Sequence, residues 1–215
     1  MTGSGNLQTK EYTFRDFTSV EISSAFEFHI SQASSYKVSI TADDNVLEKL
    51  EIIKEGNTLK IALKPMVILG SVTLEAEVTM PQLHGLAVSG ASCGTVSDFY
   101  SADNLDLNVS GASKVTGDIT AGDADFTVSG SSTVQLEGSA NDIVANVSGG
   151  SRFKLGGFIV NNASVTFSGA STGTVNVSGK LDANLSSASK LSYLGEPTIG
   201  NINISGASSF KKEYI

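Results

Sequence analysis

A short phrase returns seven times along the chain: Val88-Ser89-Gly90-Ala91-Ser92, Val109-Ser110-Gly111-Ala112-Ser113, Val128-Ser129-Gly130-Ser131-Ser132, Val147-Ser148-Gly149-Gly150-Ser151, Phe167-Ser168-Gly169-Ala170-Ser171, Leu185-Ser186-Ser187-Ala188-Ser189 and Ile204-Ser205-Gly206-Ala207-Ser208. The centres fall at 90, 111, 130, 149, 169, 187 and 206, so successive copies are 18 to 21 residues apart. Self-similarity at a nearly fixed step of this size marks stacked structural repeats, each burying its apolar face against its neighbours.

The columns of the repeat give its local structure. Four residues before each centre stand Leu86, Leu107, Phe126, Ala145, Val165, Ala183 and Ile202; two before it stand Val88, Val109, Val128, Val147, Phe167, Leu185 and Ile204. All are apolar, and Ala87, Asn108, Thr127, Asn146, Thr166, Asn184 and Asn203 lie between them. A period of two with one apolar face is a strand with one buried side. The alternation resumes after the centre with Val115, Val134, Phe153, Leu191 and Phe210. Two strands of five or six residues and two corners use up about nineteen residues in one circuit. The sequence therefore predicts a parallel β-helix (β-solenoid) with coils of about nineteen residues, stacked at about 4.8 Å.

Gly90, Gly111, Gly130, Gly149, Gly169 and Gly206 are expected at corners with positive φ, which other residues adopt at a cost. Ser187 implies that one corner dispenses with glycine. The complete Ser columns on either side of the centre are read as corner hydroxyls bonded to backbone amides, since a nucleophile is needed once and not in every coil.

The first half is less regular. Residues 1–10 are expected to be a disordered stub left by removal of a leader, and 11–215 one continuous solenoid domain. Within it, 11–84 are irregular coils with a short helix near 44–50, capped by Asp43, and 85–212 carry the seven regular repeats. Gly56-Asn57 marks either an antiparallel turn or a corner between coils. Val67-Ile68-Leu69-Gly70 reads as a loop packed on the core.

Charge and composition narrow the function classes. With 14 Lys and Arg against 22 Asp and Glu, the net charge is −8. No basic stripe is visible along the linear chain, which argues against nucleic acid as a partner. One cysteine, Cys93, forbids an intrachain disulfide. No apolar run reaches the roughly twenty residues of a membrane span.

A wider series of segments carries a resemblance: Phe17-Thr18-Ser19-Val20-Glu21-Ile22 with Phe26-Glu27-Phe28-His29-Ile30, Asp44-Asn45-Val46-Leu47, Gly56-Asn57-Thr58-Leu59-Lys60-Ile61, Val78-Thr79-Met80-Pro81-Gln82-Leu83, the Ser-Gly repeats, and Tyr193-Leu194-Gly195-Glu196-Pro197. From about residue 11 onward the chain resembles the head GIN domain family of auto-transporter adhesins of Gram-negative bacteria. Members commonly read Ser-Gly-Ser-Gly where this chain reads Ser-Gly-Ala-Ser. The resemblance implies a β-helix similar to pectin-lyase-like folds, export to the periplasm, outer membrane or cell surface, and adhesion to a host or cell-surface glycan or protein. It brings no catalytic residue and no cofactor.

Candidate sites follow from the outward columns. The ladder Asn108, Thr127, Asn146, Thr166, Asn184 and Asn203 is a flat polar face suited to recognising glycan hydroxyls or a protein. Asp106 and Asp125, on adjacent coils, are two carboxylates that a Ca²⁺ ion could bridge. Cys93 and the two histidines, His29 and His84, show no triad or metal spacing. The leading expectation is a non-enzymatic adhesion or binding module, which could self-associate. The alternatives are a polysaccharide-processing β-helix enzyme, which needs a cleft of converging carboxylates with Lys or Arg, and a structural envelope protein.

Overall fold

The computed structural model describes residues 2–68 and 70–214. The first half contains β1 (Leu7–Tyr12), β2 (Ser19–Ile22), β3 (Glu27–Gln32), β4 (Lys37–Asp43), the one-turn helix α1 (Asp44–Leu47), β5 (Leu50–Glu55), β6 (Thr58–Leu63) and β7 (Leu74–Met80). The second half runs β8 (Gly85–Val88), β9 (Cys93–Tyr100), β10 (Leu105–Val109), β11 (Lys114–Thr120), β12 (Ala124–Val128), β13 (Thr133–Val147), β14 (Arg152–Phe167), β15 (Thr172–Val177), β16 (Lys180–Leu185), β17 (Lys190–Leu194), β18 (Thr198–Ile204) and β19 (Ser209–Lys212). It forms a β-solenoid of about six turns.

Each phrase is a corner between two stacks of parallel strands. Before the corner, β2, β8, β10, β12, the ends of β13 and β14, β16 and β18 pair in series. After it, β3, β9, β11, the starts of β13 and β14, β15, β17 and β19 do the same. The second stack is not straight. Register shifts at Gly117/Ile119, Gln135/Glu137 and Leu155/Ile159 bend it, so a coil has a further kink beyond the two strands and two corners counted from sequence.

The interior is one apolar cluster running from Phe17 to Leu191. Its columns complement one another in size. Gly173 stands in register with Phe153, and an added Cβ there would lie 2.4 Å from the Phe167 ring. Phe153 and Phe167 meet edge to face at 6.2 Å, so the missing side chain of one coil is the space filled by the ring of another.

The corners follow the expected conformation, with Gly130 at φ 75° and Gly149 at 71°. Ser187 dispenses with glycine but not with the conformation: it occupies the same left-handed region at φ 67° and accepts the cost of a side chain. An eighth corner, Ser24-Ala25 (φ 75° and 61°), joins β2 to β3 and packs on Gly90. The corners are of two kinds. In the first, Ala25 N donates to Gly90 O and Ala91 N to Gly111 O, toward the C-terminal end of the stack. In the later ones Gly150 N donates to Gly130 O and Ala170 N to Gly149 O, in the opposite direction. The forward-pointing N–H accompanies a second positive φ, at Ala25 and Ala91, and the later corners need only one.

The Ser column after the centre is buried from Ser92 to Ser189. Ser92 Oγ accepts from Phe26 N at 3.2 Å, Ser132 Oγ accepts from Ser113 N at 3.3 Å, and Ser171 Oγ donates to Ser168 O at 2.8 Å. Ser113 and Ser151 hydroxyls are buried with no protein partner.

The first half covers the start of the stack. Gly56-Asn57 is the two-residue turn of the antiparallel β5–β6 hairpin, and β6 runs parallel to β2. On the other side β1, β4 and β7 are antiparallel in order, and β7 runs parallel to β3. A disordered stub is expected over residues 1–10, of which residue 1 lies outside the described residues; within the rest, β1 pairs with β4 over its full length, and Gly5 N donates to Asp43 Oδ1 at 2.7 Å. Asp43 does not cap α1 through its side chain. Buried, it receives Thr73 N on its other oxygen at 2.9 Å and so ties two segments together. The helix is correspondingly shorter than expected, and Leu50 already belongs to β5. Of the apolar patch, Ile68 is 83% exposed rather than packed on the core, and Leu69 lies outside the described residues.

Two stability predictions follow from the corners. Gly130→Val places a branched side chain at positive φ, 3.1 Å from Gly111 N, and is expected to cost more than about 1 kcal/mol in urea unfolding. Ser187→Val joins it in the costly class, while Ser187→Gly is expected to stabilise by up to about 1 kcal/mol. In the buried column, Ser171→Ala should cost about 1 kcal/mol and Ser151→Ala close to nothing, since only the first loses a hydrogen bond within the protein. Equal shifts in melting temperature for the two would contradict the assignment.

Candidate binding faces

The registers settle where each outward column lies. Asn108, Thr127, Asn146, Thr166, Asn184 and Asn203 are strictly in register from coil to coil. They form one polar row on the stack before the corners. It is partly self-satisfied: Asn203 Nδ2 donates to Asn184 Oδ1 at 2.7 Å, and Asn108 Nδ2 to Asp106 Oδ1 at 2.8 Å. At its C-terminal end a shallow depression of 490 Å³ is lined by Thr166, Asn184, Asn203, Ser186 and Ser205 with Ile202 and Ile204.

Asp106 and Asp125 are direct register partners. Among the described residues no third acidic, His or Cys side chain groups with them in a metal-holding arrangement. Asp182, in the same column, is committed elsewhere. It receives Lys180 Nζ at 2.7 Å and Asn201 N at 2.6 Å, and these hydrogen bonds hold its carboxyl below the usual range.

A cleft of 680 Å³ lies on the other stack where the first half meets the coils. Glu27 in β3 faces Glu75 on one side and Cys93 on the other; His29 faces Glu77 and Thr95. His29 Nδ1 lies 2.6 Å from Thr95 Oγ1. Glu77 accepts from Lys37 Nζ at 2.6 Å, and this hydrogen bond, then the charges of Lys37 and His29, lower its pKa. Cys93 stands between Glu27 and Lys114, an acid and a base in adjoining strands. His84 is not part of this cleft; its Nε2 is 3.4 Å from Asp103 Oδ2. The gathering of Glu27, Glu75, Glu77 and His29 was not legible in sequence, because β3 and β7 lie side by side only through the long excursion between them.

A second feature lies in the outward column that continues from Cys93, taken together with the row beside it. Lys114, Thr133, Arg152, Thr172, Lys190 and Ser209 form one row, and Thr116, Gln135, Lys154, Thr174, Ser192 and Lys211 the next. Five cations therefore share one face, correcting the impression from the linear sequence that no basic stripe exists.

With this architecture in place the comparisons decide the family. The family model described as "putative auto-transporter adhesin, head GIN domain" matches residues 16–197. The chain belongs to the head GIN domain family. Its fold is similar to that of a putative adhesin from Bacteroides fragilis NCTC 9343 (TM-score 0.93, 21% identity, 99% of this chain and 100% of that one covered). It is also similar to a putative lipid binding protein from Parabacteroides distasonis ATCC 8503 (TM-score 0.81, 21%, 100% and 99%) and a putative adhesin from Parabacteroides merdae ATCC 43184 (TM-score 0.78, 18%, 100% and 99%). At these identities the likeness establishes the fold alone. No curated protein matches. No helix among the described residues is long and apolar enough to cross a membrane.

The acidic cleft generates a chemical test. Glu77 is tied to Lys37, and His84 lies outside the cleft beside Asp103. Cys93→Ala and His84→Ala are expected to leave binding unchanged. Incubation of the protein with pectate or hyaluronan is expected to release no unsaturated sugar; absorbance from such products that disappears in Glu27→Gln would make the cleft an active site.

Proposed function

We propose that this head GIN domain protein is a non-enzymatic binding module, exported to the cell envelope and engaged in adhesion. The observation that carries the reading is the strict register of the outward rows. The same chemical group recurs at each coil, about 4.8 Å apart, along a straight face. Such a surface can contact an extended partner over several coils, each contact weak and the sum useful. Reaction chemistry calls instead for a single point where acid, base and oxyanion donors converge. The row from Asn108 to Asn203 is the proposed contact for a cell-surface glycan or protein, its amides and hydroxyls offering donors and acceptors at the coil spacing.

An outward side chain on a strand can be replaced without touching the core. Replacing Asn108, Thr127 and Asn146 together by Lys is therefore expected to leave the melting temperature unchanged and to reduce attachment of protein-coated beads to a glycan array and to extracellular matrix. Single substitutions should be nearly silent. Full attachment by the folded triple variant would move the contact to another face.

A further inference from the structure

We propose that the basic face on the stack after the corners, from β11 to β19, is a binding site for an extended acidic polysaccharide carrying about one carboxylate per disaccharide. This rests on the reading of the protein as a binding module, and is independent of the Asn/Thr row.

The face is charged in a way the whole chain is not. Of the seven cations after residue 85, five (Lys114, Arg152, Lys154, Lys190 and Lys211) lie in its two rows, exposed, with no carboxylate among their register partners from β11 to β19. The other two, Lys180 and Lys212, are neutralised by Asp182 and Glu196. Within the face only Lys211 has an acid, Glu213, at 3.2 Å. Lys114, Arg152, Lys154 and Lys190 form no ion pair among the described residues. A depression of 260 Å³ is sunk into the C-terminal end of the face, lined by Lys154, Lys190 and Lys211 with the hydroxyls of Thr172, Thr174 and Ser209. No acidic side chain lines it. At its other end Lys114 and Thr116 also line the acidic cleft around Glu27 and Glu75, so an anionic chain would be held most firmly from Arg152 onward, with Lys114 at the border.

The spacing selects the class of ligand. In the first row a cation stands on every second coil, with Thr133, Thr172 or Ser209 between, so the charges recur at about 9.6 Å. An extended polysaccharide with a uronate in each disaccharide carries its carboxylates at a similar interval, and its hydroxyls fall opposite the intervening Thr and Ser. Double-stranded DNA presents a charge about every 1.7 Å and would be repelled by the remainder of a chain of net charge −8. Base stacking would need a run of exposed aromatic rings, and neither row contains one. A bilayer would need an apolar anchor, which neither row provides.

The test uses the whole chain with fluorescent hyaluronan oligosaccharides at low salt. Binding is expected to weaken steeply with added NaCl, and neutral dextran should not compete. A Lys114→Gln/Arg152→Gln/Lys190→Gln variant of unchanged melting temperature is expected to lose on the order of tenfold in affinity. A variant with Asn108, Thr127 and Asn146 replaced by Ala, which adds no charge, should bind hyaluronan as the parent does. Undiminished binding by the Gln variant would overturn the proposal. So would tighter binding to single-stranded DNA or to phosphatidylglycerol-containing vesicles than to hyaluronan. Bead attachment to surfaces without any hyaluronan binding would refute this site and leave the adhesion reading standing.

Discussion

Everything in this structure depends on the parallel hydrogen-bonded register between coils. The ladder does not stop at the ends of strands. Ser110 N donates to Val88 O and Ser129 N to Val109 O before the corner, and Lys114 N to Ser92 O and Thr133 N to Ser113 O after it. A coil that gained or lost a residue between these points would move every side chain on one strand to the wrong face. The phrase is therefore nearly constant where the corner is and variable elsewhere: the register shifts fall away from it, at Gly117/Ile119, Gln135/Glu137, Leu155/Ile159 and Leu181/Ala183. The reversal of corner amides between the Gly90 and Gly149 corners shows what the register does tolerate. Flipping one peptide changes the direction of a bond and not the stacking distance.

This constraint also explains the shape of the first half. A solenoid's opening coil has strand edges and apolar columns that need partners. Here β2 and β3 are themselves a coil, with the corner Ser24-Ala25, and the chain then leaves the stack to lay β4 to β7 over it before returning at β8. Antiparallel pairing of β5 with β6, and of β4 with β7 and β1, ends the parallel repeat on this side. Asp43 is the tie in that cover, buried because its two oxygens accept amides from segments far apart in sequence.

The columns of the second half were legible because their period is short and regular, and the inward and outward assignments from Leu86 to Ile204 follow directly from alternation. Three features were not legible, each for a physical reason. Ser24 is a corner whose spatial neighbour, Gly90, comes after the long excursion of the chain, so no local period marks it. Residues 2–10 lack an apolar pattern, and their order comes from β4 and from the Asp43 and Asp44 carboxylates, which nothing in the segment itself announces. The basic face is made of residues one or two coils apart, diluted by Thr and Gln, and only the combination of two adjacent rows raises it above the acidic background.

The rows before and after the corner can differ so much in character because the corner decouples them. Among the described residues no hydrogen bond or ion pair links the Asn108–Asn203 row to the β11–β19 rows, and the core they surround is indifferent to what points into solvent. An acidic chain can thus carry a neutral amide row on one side and a local excess of cations on the other. At ordinary ionic strength the field of a charge fades within about 8 to 10 Å. That is comparable to two coil steps, so a ligand laid on the β11–β19 rows feels Lys114, Arg152 and Lys190 more strongly than the carboxylates on the far stack. Net charge then governs solubility and encounter at long range, and the row in contact governs what is held.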